Sequence, residues 1–180
     1  MDSVLEQLRA AAARQGYVCV ARDAVTERRI RGFVLAMSDE LVLMQEIYDF
    51  ASDGYVIVRL RDVTGVRDGD YERFDARVLA GEGIRAAPPS SAIHLASWRT
   101  VFESLSGGAW PLAVVEDETD AEVALWAGRV LGAGETFVAF HYVSPVGAWE
   151  AEPEEIEYDD VTRVCFGDRY TTVLARYTDG

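Results

Sequence analysis

One stretch, Arg31 to Asp70, occurs twice in this 180-residue chain, and the repetition limits what the chain can fold into. Arg61-Asp62-Val63-Thr64-Gly65-Val66 returns as Asp159-Asp160-Val161-Thr162-Arg163-Val164, and Gly69-Asp70 returns as Gly167-Asp168, both at an offset of 98. Upstream, Ile30-Arg31-Gly32-Phe33-Val34-Leu35 is echoed by Trp126-Ala127-Gly128-Arg129-Val130-Leu131 at an offset of 96. Each copy has the same order: a glycine inside a strand-like run, a hairpin, a second apolar run, then Asp-Val-Thr-x-Val. The repetition predicts two domains, residues 1–82 and 93–180. The segment 83–92, rich in Gly, Ala, Pro and Ser, is expected as the linker.

Within the first copy, Ser3 to Glu6 reads as a capping box opening a short amphipathic helix that stops at Gly16. Five β-rich runs follow: Tyr17–Ala21, Arg29–Met37, Leu41–Ile47, Tyr55–Leu60 and Val63–Arg67. Turns are expected at Asp23–Glu27, Ser38–Glu40 and Asp49–Gly54. Asp70 is expected to cap a trailing helix over Tyr71–Ala80, with Phe74 and Val78 on one face. The second copy repeats the plan. Ser97 caps a helix over Trp98–Leu105. Strands are expected at Pro111–Glu116, Ala121–Leu131, Thr136–Tyr142, Glu155–Tyr158 and Val161–Phe166, and Asp168 caps the tail. Glycine weakens a strand unless the backbone must bend or be closely approached, and a strongly curled strand supplies that reason at Gly32.

A leading helix and five short bent strands with a glycine in the second resemble the Sm-like family of SH3-type barrels. The chain also resembles bacterial proteins of unknown function that carry two such units in tandem. The resemblance covers about Ser3 to Leu174. It implies a mainly β (α+β) fold: two tandem five-stranded Sm-like barrels, each preceded by a short helix. Family members usually bind RNA, in rings, through an acidic residue and an asparagine on one hairpin and an arginine-glycine pair near the last two strands. At those places this chain has Ser38 and Gly134 for the aspartate, with Asp39 one place late. It has Val42 and Val138 for the asparagine, and Arg61-Asp62 and Asp159-Asp160 for Arg-Gly. The fold resemblance stands and the RNA site does not carry over.

Charge points the same way. The net charge is −14. Residues 1–90 hold 15 acids and 12 bases, whereas residues 91–180 hold 16 acids and 5 bases, and every base is arginine. Such a field repels phosphate backbones and attracts cations, and it also serves solubility. No apolar run approaches the roughly 20 residues that cross a bilayer, and no basic stretch precedes an apolar one at Met1–Glu6. A cytoplasmic protein is expected, without membrane attachment, as a monomer or small homo-oligomer.

Catalytic chemistry has little to build on. His94 and His141 lack an evident nucleophile and orienting acid, and each reads as structural. Cys19, Cys165, His94 and His141 are scattered without metal-ligand spacing, so neither a metal nor a disulfide framework is expected. Asp68-Gly69-Asp70 is too short for a calcium loop. The glycine pairs Gly81/Gly83 and Gly132/Gly134 do not open a helix after a strand. Glu154 and Glu155 have no apolar setting to split their pKa values. The expectation is no enzyme and no cofactor.

One local difference separates the copies. The second joins its third and fourth strands through Ser144–Glu154, a loop whose flank is strongly acidic. Trp149, Glu150, Glu152, Glu154, Glu155, Glu157, Asp159 and Asp160 are the candidate partner-binding residues. Trp149 is either an interface anchor or folds back on its own barrel, and the acids are either a docking edge or a solvated rim. The expected function is a non-enzymatic interaction module that engages a basic protein through its acidic half. Its concrete form is an immunity-type inhibitor of a cationic toxin. The alternative is RNA binding through an arginine face of Arg28, Arg29, Arg31, Arg59 and Arg61.

Overall fold

A helix, α1 (Asp2–Arg14), opens the chain and buries Leu8 and Ala11. It begins one residue ahead of the expected cap, so Ser3 lies exposed in the first turn. At the other end Gly16 N donates to Ala11 O at 2.8 Å and Gln15 N to Ala12 O at 3.2 Å. These two bonds form a Schellman stop, and Gln15, at φ 50°, fills the left-handed position that Gly16 was expected to take. The computed structural model describes residues 2–119 and 124–178 and divides the chain into two units, with the boundary between Pro88 and Pro89.

In unit 1 the strands are β1 (Tyr17–Arg22), β2 (Thr26–Met37), β3 (Leu41–Tyr48), β4 (Ala51–Arg59) and β5 (Gly65–Arg67). They lie in the order β5-β1-β2-β3-β4, with antiparallel neighbours. The sequence predicts a barrel, but no ladder among the described residues joins β4 to β5, so the unit is an open sheet. Gly32 shows why β2 needs glycine: a Cβ there would lie 2.0 Å from Gln45 O on β3. The β3–β4 turn is tighter than expected. Tyr48 pairs with Ala51 across Asp49 and Phe50, whose φ values of 46° and 58° make a two-residue type I′ turn. Gly54, expected in that turn, instead sits at a register shift inside β4 with φ 76°.

Behind the sheet runs α2 (Asp70–Gly81). Gly69, not Asp70, is its cap position, and Glu72 Oε2 accepts from Gly69 N at 2.9 Å. Arg67 Nε donates to Glu72 Oε1 at 2.7 Å. Burial pushes the Glu72 carboxyl up, but Gly69 N–H and Arg67 outweigh it and hold the group below its ordinary value. The packed face of α2 carries Leu79 and Ala76, which join Tyr17, Phe33 and Ile47, while Phe74 turns outward. The start of the expected linker is tied to this unit. Ile84 and Ala86 pack on the same cluster, and Ala87 N donates to Gln45 Oε1 at 2.8 Å.

Unit 2 repeats the plan: α3 (Trp98–Ser106), β6 (Ala113–Asp117), β7 (Ala124–Ala133), β8 (Phe137–Tyr142), β9 (Glu154–Glu157), β10 (Arg163–Phe166) and α4 (Arg169–Leu174). Its order, β10-β6-β7-β8-β9, is also open and antiparallel. Residues 121–123 of the expected glycine-bearing strand lie outside the described residues. Ser97 and Asp168 cap α3 and α4 as expected, accepting from Thr100 N at 3.4 Å and Thr171 N at 2.8 Å.

The two copies match in physical detail. A Cβ on Gly128 would lie 2.0 Å from His141 O, as on Gly32. The register shifts at Val34/Ala36 and again, 96 residues on, at Val130/Gly132. The shared threonine explains the Asp-Val-Thr echo. Thr64 Oγ1 accepts from Asp23 N at 2.9 Å, and Thr162 Oγ1 accepts from Glu118 N at 3.0 Å. Thr64 N and Thr162 N donate to Ala21 O and Glu116 O, both at 2.9 Å. Each threonine thus ties the last strand to the end of the first. The copies differ where Arg163 stands at the place of Gly65. Arg163 is buried beside Glu116 at 3.6 Å and donates to Cys165 Sγ at 3.0 Å.

Candidate acidic docking edge

The candidate residues gather on the last part of unit 2, at the end of β8 and along β9. After β8 the chain pairs once more, Val143 with Trp149, around a turn where Gly147 takes φ 81°. Gly147 N donates to Ser144 O at 2.9 Å, and Ala148 N donates to Ser144 Oγ at 3.2 Å. Glu150 N then donates to Tyr142 O at 3.0 Å, which holds the returning chain beside β8.

Trp149 folds back on its own sheet. Its ring lies 4.8 Å from the His141 ring and 5.0 Å from the Arg129 guanidinium, centroid to centroid and carbon to centroid. Arg129 and His141 face each other across the β7–β8 ladder. His141 Nε2 donates to Glu150 O at 2.8 Å, which fixes a proton on that nitrogen. Trp149 is therefore a clamped, half-buried residue, and of the two readings the sequence left open, folding back is the one observed. Of the clamp's two other members, His141 is read from sequence as structural, as observed, whereas Arg129 was missed. Arg129 looked like one of five scattered bases, and only the strand register puts it against His141.

The acids are exposed: Glu150, Glu152, Glu154, Glu155, Glu157, Asp159 and Asp160. Glu154, Glu155 and Glu157 lie on β9, where Ile156 alone turns into the core. Alternation puts the Glu155 and Glu157 side chains on one face, away from Ile156. Asp159 and Asp160 follow in a 3-10 turn, Tyr158–Asp160, whose Tyr158 hydroxyl donates to Gly134 O at 3.1 Å. Burial pushes the Tyr158 phenol above its ordinary value. Among the described residues no ion pair engages Glu154, Glu155 or Glu157. Their charge is open to solvent or to a partner.

The remaining candidates do not converge. His94 is exposed, with its backbone held by Ser104 Oγ and Thr100 Oγ1 at 3.1 and 2.8 Å. Cys19 and Cys165 are buried and form no disulfide among the described residues. Among the described residues no three His, Cys, Asp or Glu side chains group as a metal site, and no helix is long and apolar enough to cross a membrane. Of the arginine face, Arg28, Arg29, Arg31 and Arg61 are exposed, whereas Arg59 is buried and Arg29 pairs with Asp23 at 2.7 Å. Comparison with known proteins finds no matching family model, no matching curated protein and no matching solved structure.

Proposed function

We propose that this protein is a non-enzymatic interaction module that docks a basic protein through the acidic edge of unit 2. The observation that carries the reading is the run of exposed carboxylates on β9, where Glu154, Glu155 and Glu157 enter no ion pair among the described residues, beside a loop clamped at Trp149. An interface gains specificity and association rate from such a one-signed field. The concrete form of the proposal is an immunity-type inhibitor that covers the nucleic-acid-binding face of a cationic toxin. Each unit is, on this reading, an Sm-like sheet whose nucleotide pocket is gone. The helix-first strand order and the paired glycines support the kinship. At the asparagine positions of that family stand Val42 and Val138, both fully buried, which supports the loss.

The test is affinity capture of a cationic toxin by the wild-type chain and by a variant carrying Glu150→Gln, Glu152→Gln, Glu154→Gln and Glu155→Gln. Retention by the wild type and release by the variant is the expected result. Equal retention rejects this surface. Filter binding of a single-stranded RNA at low and moderate salt tests the arginine face, and salt-sensitive retention by the wild type would favour RNA over a basic protein.

A further inference from the structure

We propose that the outer edge of β9 takes an extended segment of a basic partner as an added strand. This rests on the acidic-docking reading above and gives it a binding mode. The carrying observation is the orientation of main-chain groups. β9 is the last strand of its sheet and is bonded on one side to β8. Tyr158 N donates to Thr136 O at 2.8 Å, and Phe137 stands opposite Glu157. Antiparallel alternation then turns the N–H and C=O of residues 158, 156 and 154 toward β8. The same groups of Glu155 and Glu157 point away from the sheet. Among the described residues no strand takes them up.

An edge of this kind is a template for another chain. Its side chains decide which chain. A strand laid beside β9 puts its residues about 5 Å from those of β9. Glu155 and Glu157, two apart on one face, then select Lys or Arg at alternating positions and repel acids there. Adjacent basic residues would send one charge to each face and satisfy one carboxylate only. The partner segment is therefore extended, with basic residues at every second place. A partner offering only a folded basic surface would leave the outward amides unused.

The probe is a short acetylated peptide, Thr-Val-Arg-Val-Arg-Thr, compared with its isomer Thr-Arg-Arg-Val-Val-Thr. The alternating peptide is expected to bind more tightly than its isomer and to slow amide exchange at Glu155 and Glu157. Glu155→Pro removes an outward N–H and leaves the β8 ladder intact. It is expected to weaken the alternating peptide about tenfold beyond Glu155→Gln, which keeps the amide. Should Glu155→Pro unfold the unit, N-methylation of the peptide's arginines asks the same question from the other side and should abolish binding to wild type. Equal binding by Glu155→Pro and Glu155→Gln, or retained binding of the methylated peptide, overturns the strand mode while leaving the acidic reading intact. If Glu155→Gln with Glu157→Gln binds as wild type does, both fail. Concentration-dependent protection of the two amides without peptide assigns the edge to a second copy and overturns the proposal.

Discussion

Gly32 and Gly128 are the residues that tie the repeat to a physical cause. Each lies so close to the neighbouring strand that a methyl group would overlap a carbonyl oxygen. Gly32→Ala or Gly128→Ala should each cost about 3 kcal/mol, read as a lowered denaturant midpoint. Gly132→Ala, where a Cβ meets nothing within 4 Å, should cost little and serves as the control. Tyr17 gives a pH signature. Burial, then the nearby Asp75 carboxylate, pushes its phenol up to about 12 from an ordinary 10.0. The folded chain thus holds this proton more tightly than the unfolded chain. That stabilisation is complete below pH 10.0 and is lost as pH rises toward about 12. Tyr17→Phe should flatten the fall in stability across that window, measured by urea unfolding at stepped pH; an unchanged slope contradicts the assignment. The glycines were legible in the sequence because both copies carry them. The Arg129–Trp149–His141 clamp was not, because it depends on register across β7 and β8.

At the scale of elements, the threonine ties explain why Asp-Val-Thr recurs where little else does. Thr162 is fully buried and accepts from Glu118 N while donating to Glu116 O at 2.9 Å. Thr162→Val should therefore cost about 2 kcal/mol, because it leaves a buried amide unsatisfied. Thr64, exposed, should cost about 0.5 kcal/mol as Thr64→Val. A thermal-unfolding comparison that reverses this ranking would contradict the role given to the burial. Glu72→Ala should cost about 1 kcal/mol by removing the partner of Gly69 N at the start of α2. Helices capped by a plain Ser or Asp were read correctly, as at Ser97 and Asp168. Errors came where an unexpected residue did a familiar task. Gln15 took the left-handed stop of α1, Asp49-Phe50 made a type I′ turn without asparagine or glycine, and Gly69 with Glu72 replaced Asp70 as the start of α2.

For the molecule as a whole, duplication, strand number and the mainly β character followed from the repeated pattern. Barrel closure did not, because periodicity fixes which face a residue takes and says nothing about whether the first and last strands meet. Charge was legible as a total, but its use depends on which carboxylates stay unpaired, and only the sheet register shows Glu155 and Glu157 side by side on an outer strand. The central claim is that this edge docks a cationic protein. Its most direct measurement is the dissociation constant of the captured basic partner for wild type and for Glu150→Gln/Glu152→Gln/Glu154→Gln/Glu155→Gln, each at two salt concentrations. The account predicts a loss of at least about tenfold in affinity at low salt and a shallower salt dependence for the variant. Equal constants with the same salt slope would contradict it.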